Sequence, residues 1–192
     1  QEFTNCKILN FLDTKFLLSG NLDSFEEKIY PVNLGYIDKN QSTKYELKDI
    51  SLKEDLNINI KENTVLYLRL KNTDQKTKKL SVVFGDMEKS KLIIFNSVLD
   101  NIDIHIKSSK IKNNNLNISP KYNENLLTGC LTILDSKVNK INLFSDGTAC
   151  EDDINLIRTE GNIESIQIKN SQFDAIDLDF SKIEIDKIKI EN

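Results

Sequence analysis

The chain has no tryptophan, one histidine, two prolines and three cysteines in 192 residues. Each scarcity closes off a function class. Without tryptophan, the usual exposed platform for stacking on sugar rings is missing, and most phenylalanines sit in apolar positions. The lone His105 has no cysteine at a spacing that suggests a nucleophile pair. Cys6, Cys130 and Cys150 form no CxxC, which argues against a zinc ribbon or a thioredoxin-type site. An odd count leaves at least one thiol unpaired within the chain, and a Cys130–Cys150 bridge is open. No apolar run approaches the length that spans a bilayer, roughly 18 residues. Charge of one sign is also missing: the net of −4 gives no general affinity for nucleic acid. It is unevenly spread. Residues 146–192 hold twelve Asp/Glu against five Lys/Arg, a net of −7, which leaves about +3 for residues 1–145.

What is present is a repeat, and a hydrophobic share of 39%. That share is enough for a core and argues against disorder. An apolar residue, two others, an apolar residue, one other and an apolar residue recur. Examples are Leu99/Ile102/Ile104, Val138/Ile141/Leu143, Ile163/Ile166/Ile168, Phe173/Ile176/Leu178 and Ile185/Ile188/Ile190. The last two positions alternate with a polar residue, the period of a strand. The central residues form two interleaved series: Leu116, Ile141, Ile166, Ile188, and Leu131, Ile154, Ile176. Their spacing of 22 to 25 positions describes a coil that returns to the same place on each circuit. Stacked coils bury one another's apolar edges, so the expected fold is all-β, a parallel β-helix. Between-strand positions predict a polar ladder of Asp103, Asn142, Gln167 and Lys189.

The segment 52–70 enters this helix, with Leu56/Ile58/Ile60 alternating, a turn at Glu62-Asn63, and renewed alternation from Val65 or Leu66. Residues 79–85 and 91–97 supply further strands, and 72–79 reads as a polar loop. In DSFEEKIY, residues 23–30, Ser24 and Glu27 have capping-box spacing, which predicts a short helix covering the first coil. The expected organisation is an N-terminal cap or extension over 1–45 and the β-helix over 46–192. The latter stops just after a strand without an evident C-terminal cap, as in a fragment of a longer helix or an end that meets another molecule.

The coils in NIESIQIKNSQFDAIDLDFSKIEIDKIKIEN, together with the entry segment, resemble right-handed parallel β-helix domains of the pectate-lyase-like superfamily. They are similar to uncharacterised bacterial β-helix domains that accompany CotH-type modules. The similarity covers roughly residues 45–192. It implies a secreted or cell-envelope setting and polysaccharide as the partner class.

The stretch FDAIDLDFS, residues 173–181, raises the question of a site. Aligning Ile154 over Ile176 stacks Asp152 with Asp174, Asn155 with Asp177, Leu156 with Leu178 and Ile157 with Asp179. Three readings compete for the resulting acidic strip. Outward strand positions and bends favour Asp structurally, because its carboxylate accepts backbone N–H bonds. Alternatively Asp152, Asp174, Asp177 and Asp179 hold Ca2+, which takes several oxygens at ~2.3 to 2.6 Å. No DxDxDG loop or GGxGxD repeat accompanies them. In the third reading Asp152, Asp153 and Asp177 act as the acid and base of a glycoside hydrolase. The His-Gly and Arg-x-Lys elements of polygalacturonase-like β-helices are absent. A lyase would need a basic residue beside calcium, for which Arg158 is the one arginine in the region. The expected role is therefore a non-catalytic scaffold or polysaccharide-binding module. A carbohydrate-active enzyme using the acidic edge and self-association through the coil ends are the alternatives. His105 is expected on a solvated face.

Overall fold

Apolar residues of the repeat find like residues one circuit away, and this stacking organises the chain. The structure, a computed structural model, describes residues 44–71, 76–85, 90–108, 127–147 and 150–191, with the backbone of three further strands between 6 and 31. Those strands, β1 (Cys6–Phe11), β2 (Thr14–Ser19) and β3 (Ile29–Pro31), form an antiparallel sheet in a unit made of residues 1–42 and 122–127. The capping-box residues Ser24 and Glu27 lie outside the described residues, whereas Ile29 and Tyr30, at the end of the same predicted helix, belong to β3.

The second unit, residues 43–121 and 128–192, is a parallel β-solenoid of about five turns. Its strands are β4 (Lys44–Ser51), β5 (Leu56–Ile60), β6 (Thr64–Lys71), β7 (Lys78–Phe84), β8 (Lys91–Phe95), β9 (Val98–Asp100) and β10 (Ile102–Ser108). They continue with β11 (Gly129–Leu134), β12 (Lys137–Asp146), β13 (Asp152–Ile157), β14 (Glu160–Lys169), β15 (Asp174–Asp179), β16 (Lys182–Ile185) and β17 (Ile188–Glu191). One wall stacks β4, β6, β8, β11, β13 and β15; another stacks β5, β7, β10, β12, β14 and β17. The short β9, the first residues of β12 and β14, and β16 make the side between them. The pairings in these walls are all parallel, and no helix occurs among the described residues.

The lumen is filled by columns of branched aliphatics, among them Leu66, Leu92, Leu131 and Ile154 on one wall and Leu80, Ile104, Leu143 and Ile166 on the other. β-Branched and Leu side chains suit these columns because each packs between like neighbours above and below. At ~25 cal/mol per Å2 of buried apolar surface, this lumen is the dominant stabilising term. The disulfide Cys130–Cys150 lies within it, tying β11 to the residue two places before β13.

The corners have their own chemistry. After β8, β11, β13 and β15 the chain turns through a left-handed residue, Asn96, Asp135, Arg158 and Phe180 respectively. A hydroxyl residue follows each time: Ser97, Ser136, Thr159 and Ser181. These hydroxyls are stacked and bonded, with the Ser97 N–H donating to Ser136 Oγ at 3.1 Å and the Thr159 N–H to Ser181 Oγ at 3.0 Å. A buried corner satisfies its backbone in this way where ladder partners are lost.

Two register expectations are corrected. Ile166 does stack on Ile188, and Leu131, Ile154 and Ile176 follow as predicted. Ile141, however, pairs with Ile163, and it is Leu143 that meets Ile166. The ladder shifts on either side of Ile141, next to Lys140 in the left-handed region. Before Ile141 three steps of β12 oppose two of β14, and after it one opposes two, so two bulge-like shifts cancel and the register is the same on both sides. Gly161 sits in the same irregularity at φ +130°, where a Cβ would collide with the Val138 carbonyl oxygen. Only glycine, with no Cβ, fits such a position without strain. With Leu143 rather than Ile141 over Ile166, the predicted polar ladder splits: Asp103, Asn142 and Ser165 stack in one column, and Phe144, Gln167 and Lys189 in another. The second correction concerns Leu116. β12 pairs directly with β10, Asn142 on Asp103, so no coil centred on Leu116 intervenes; Leu116 itself is outside the described residues.

Candidate functional site

The acidic edge is assembled by β13 and β15. Its predicted stacking is present: Asp152 on Asp174, Asn155 on Asp177, Ile157 on Asp179. The strip is not uniform, however. The Asn155 amide nitrogen donates toward Thr128 Oγ1 at 3.2 Å, Asp177 Oδ2 at 3.3 Å and Asp152 Oδ2 at 3.4 Å. One neutral amide thus bridges two carboxylates that would otherwise repel. Lys91, largely buried, donates from Nζ to the Thr128 carbonyl at 3.1 Å; burial brings its pKa down to about 8 against the pull of Asp152 and Glu151. The Asp152 carboxyl is pushed above its usual range, first by burial and then by Asp177 and Glu151, with hydrogen bonds from Thr128 and Asn155 opposing. Burial and then Asp177 do the same to Asp179. Thr132 Oγ1 and Asn155 Oδ1, stacked neighbours in this wall, are buried without hydrogen-bond partners.

Asp153 departs from the expected strip. It is 0% exposed, held by Ser145 Oγ at 3.0 Å and Ser171 Oγ at 3.2 Å, and is enclosed by these two segments rather than set on the outer edge. The ladder passes from Asp152 to Ile154 on both sides of β13 and leaves Asp153 out. Burial raises its pKa to about 7, against the two serine hydrogen bonds. Asp153 is thus withdrawn from solvent, whereas Asp152 and Asp177 share the Asn155 amide. Among the described residues no three His, Cys, Asp or Glu side chains gather as a metal-holding group; Asp152 belongs to β13, and Asp174, Asp177 and Asp179 to β15.

A different feature lies on the other wall. The outward column of β5, β7, β10, β12, β14 and β17 reads Asn57, Ser81, His105, Phe144, Gln167 and Lys189. In its middle the rings of His105 and Phe144 stack, centroids 4.1 Å apart at 26°. From Asn57 to Gln167 this column floors an open groove of about 440 Å3, with Lys79, Lys107 and Lys169 along it and Asp146 as its acidic member. Burial and the nearby Lys79 lower the His105 pKa, with Asp103 opposing. The sequence places His105 on a solvated face; the structure half-buries it against Phe144. Sequence reasoning misses Phe144, because phenylalanines here mostly fill apolar positions. The signal lies in the phase. Between Leu143 and Ser145, both buried, Phe144 occupies the outward position of its strand. Alternate strand residues face opposite sides of the sheet.

No protein-family model, no curated protein and no solved structure matches the chain. The resemblance to pectate-lyase-like and CotH-associated domains therefore holds at the level of the solenoid architecture alone.

Proposed function

We propose that the chain is a non-catalytic module of the cell surface or extracellular space, a rigid solenoid that binds an acidic polysaccharide along the groove over β7, β10 and β12. The observation carrying this reading is the stacked His105–Phe144 pair set in a polar column. The C–H face of a sugar ring is apolar and lies flat on such a pair, while hydroxyls exchange hydrogen bonds with Asn57, Ser81 and Gln167. Lys79 and Lys107 supply positive charge for carboxylates on the glycan, at modest strength because the groove is open to water. The solenoid holds these groups on paired strands, not on loops, so little ordering entropy is lost on binding. The Cys130–Cys150 disulfide supports an oxidising compartment, since such bonds persist in secreted and envelope proteins.

Titration calorimetry against uronic-acid and neutral glycans tests the reading. Binding to acidic oligosaccharides is expected, weakened by salt, and removed by Phe144→Ala while Asp177→Asn leaves it intact. Equal affinity in the parent and Phe144→Ala proteins, or no binding to any acidic glycan, would refute it.

A further inference from the structure

One rim of the groove carries charge in a fixed order along the solenoid axis. Two places beyond His105, Phe144 and Gln167 on their strands lie Lys107, Asp146 and Lys169. All three line the groove and are exposed. They are ladder partners on β10, β12 and β14, so they follow one another at the strand spacing of ~4.8 Å. Val83 holds the same place on β7. The rim therefore reads positive, negative, positive over roughly 10 Å.

Such a ladder serves the fold when the acid bridges its basic neighbours. Asp146 does not do so. Its Oδ1 accepts from the Asn170 amide at 2.8 Å, and among the described residues no ion pair joins it to Lys107 or Lys169. Lys169 lies 3.4 Å from Glu191 one coil on, but both are exposed. A pair of that kind is worth little, so Lys169 remains open to another anion.

The coil spacing is also close to the length by which a pyranose linked across its ring advances a chain. A glycan lying along the axis thus sets about one ring over each coil. The middle ring rests on Phe144, and its two neighbours lie beside Lys107 and Lys169. A carboxylate on either neighbour meets a cation. On the middle ring it meets none: one rim presents Asp146, and the other presents Asn142, whose amide donates to Asp103 at 2.9 Å. A neutral middle ring instead donates a hydroxyl or amide N–H to Asp146.

We propose that the groove selects a glycan in which uronic acid alternates with a neutral, donor-bearing sugar over a homopolymer of uronic acid, and that Asp146 is the discriminating residue. This selectivity presupposes the glycan binding proposed above and names the ligand class within it. Lys107 and Lys169 take carboxylates two rings apart, and Asp146 turns away a third between them. Discrimination of this kind comes from a misplaced like charge as much as from new attraction. Lys79, on the opposite rim, adds attraction without reading the spacing.

Titration calorimetry of the intact chain with two probes of equal length tests it. One alternates glucuronic acid with N-acetylglucosamine, and the other is an oligoglucuronate. The parent is expected to bind the alternating probe roughly fivefold more tightly, the upper range for one exposed charge pair. Asp146→Asn keeps an oxygen for Asn170 and is expected to bring the ratio near one by strengthening oligoglucuronate binding. Asp177→Asn makes the same charge change on the other wall and is expected to leave the ratio at the parent value. Lys169→Gln is expected to weaken the alternating probe. A parent that binds oligoglucuronate as tightly, an Asp146→Asn ratio equal to the parent's, or an equal collapse in Asp177→Asn would each overturn the selectivity and leave glycan binding in place. Binding to neither probe overturns the selectivity, and absence of binding to every acidic glycan overturns both.

Discussion

Replacing Asp153 by asparagine isolates the cost of a buried carboxyl. Ser171 Oγ lies 3.2 Å from Asp153 Oδ1 and 3.2 Å from the Phe173 carbonyl, and its single proton serves only one of them. With Asp153 protonated the conflict disappears. The carboxyl donates to Ser171 Oγ, the Ser171 hydroxyl donates to the carbonyl, and Ser145 donates to the other carboxyl oxygen. Asparagine reproduces that donor and acceptor pattern without an ionisable proton. The folded-state pKa of about 7 stands above the ordinary value of 3.8, so the native state binds the proton more tightly than the unfolded chain. The sign follows: stability from this group is complete below about pH 4, declines as pH rises, and levels off above about pH 7. A separation of about three pKa units corresponds to roughly 4 kcal/mol. For a chain of this size that is on the order of 8 to 16 °C in melting temperature. Thermal unfolding followed by circular dichroism between acid and mildly alkaline pH measures it. Parent and Asp153→Asn proteins are expected to melt together under acid conditions and to diverge as pH rises, with the variant the more stable once the carboxyl has ionised. A variant no more stable than the parent there, or a difference that does not change with pH, would refute the reasoning.

Two further outcomes bear on the scaffold. Cys130 and Cys150 are 20 positions apart in sequence. Reducing their bond is expected to destabilise the solenoid by about 3 kcal/mol on loop entropy, and denaturant unfolding with and without reductant reads this directly. Gly161→Ala forces a Cβ against the Val138 carbonyl at a backbone angle that only glycine adopts readily. A loss of at least about 1 to 3 kcal/mol is expected, read from the urea midpoint. Alanine at Gly147, also at positive φ but with open space around its Cβ, should cost less and serves as the control.

Much of the solenoid was legible because its signal is repetitive. Ile154 over Ile176 and Ile166 over Ile188 follow from counting residues, since a column of like side chains must recur at the circuit length. The coil between Ile141 and Ile163 is misread for a physical reason. A slip of two residues keeps every side chain on its own face, so Val138/Ile141/Leu143 looks equally well placed over Ile163/Ile166/Ile168, although the true offset from Leu143 to Ile166 is two residues shorter than the one expected from Ile141. Leu116 illustrates the converse. Its spacing suits a partner for Ile141, and only the direct pairing of β10 with β12 shows that β12 stacks on β10 instead. At the candidate site, the acidic stack on Asp174 and Asp177 was visible by register. The enclosure of Asp153 was not, because three consecutive acidic residues give no phase.

The sequence by itself determined that the chain coils, the length of the circuits from Leu131 to Ile176 and from Ile166 to Ile188, and most residues of the lumen columns, because burial of one apolar stripe per circuit leaves its mark at a near-constant period. The tertiary structure decided which residues from distant coils meet: His105 on Phe144, and Asp153 between Ser145 and Ser171. Such contacts depend on bulges, corners and excursions of irregular length. The circuit from Asp103 to Asn142 is far longer than its neighbours, and a two-residue slip leaves every side chain on its face, so neither is marked in the pattern of apolar residues.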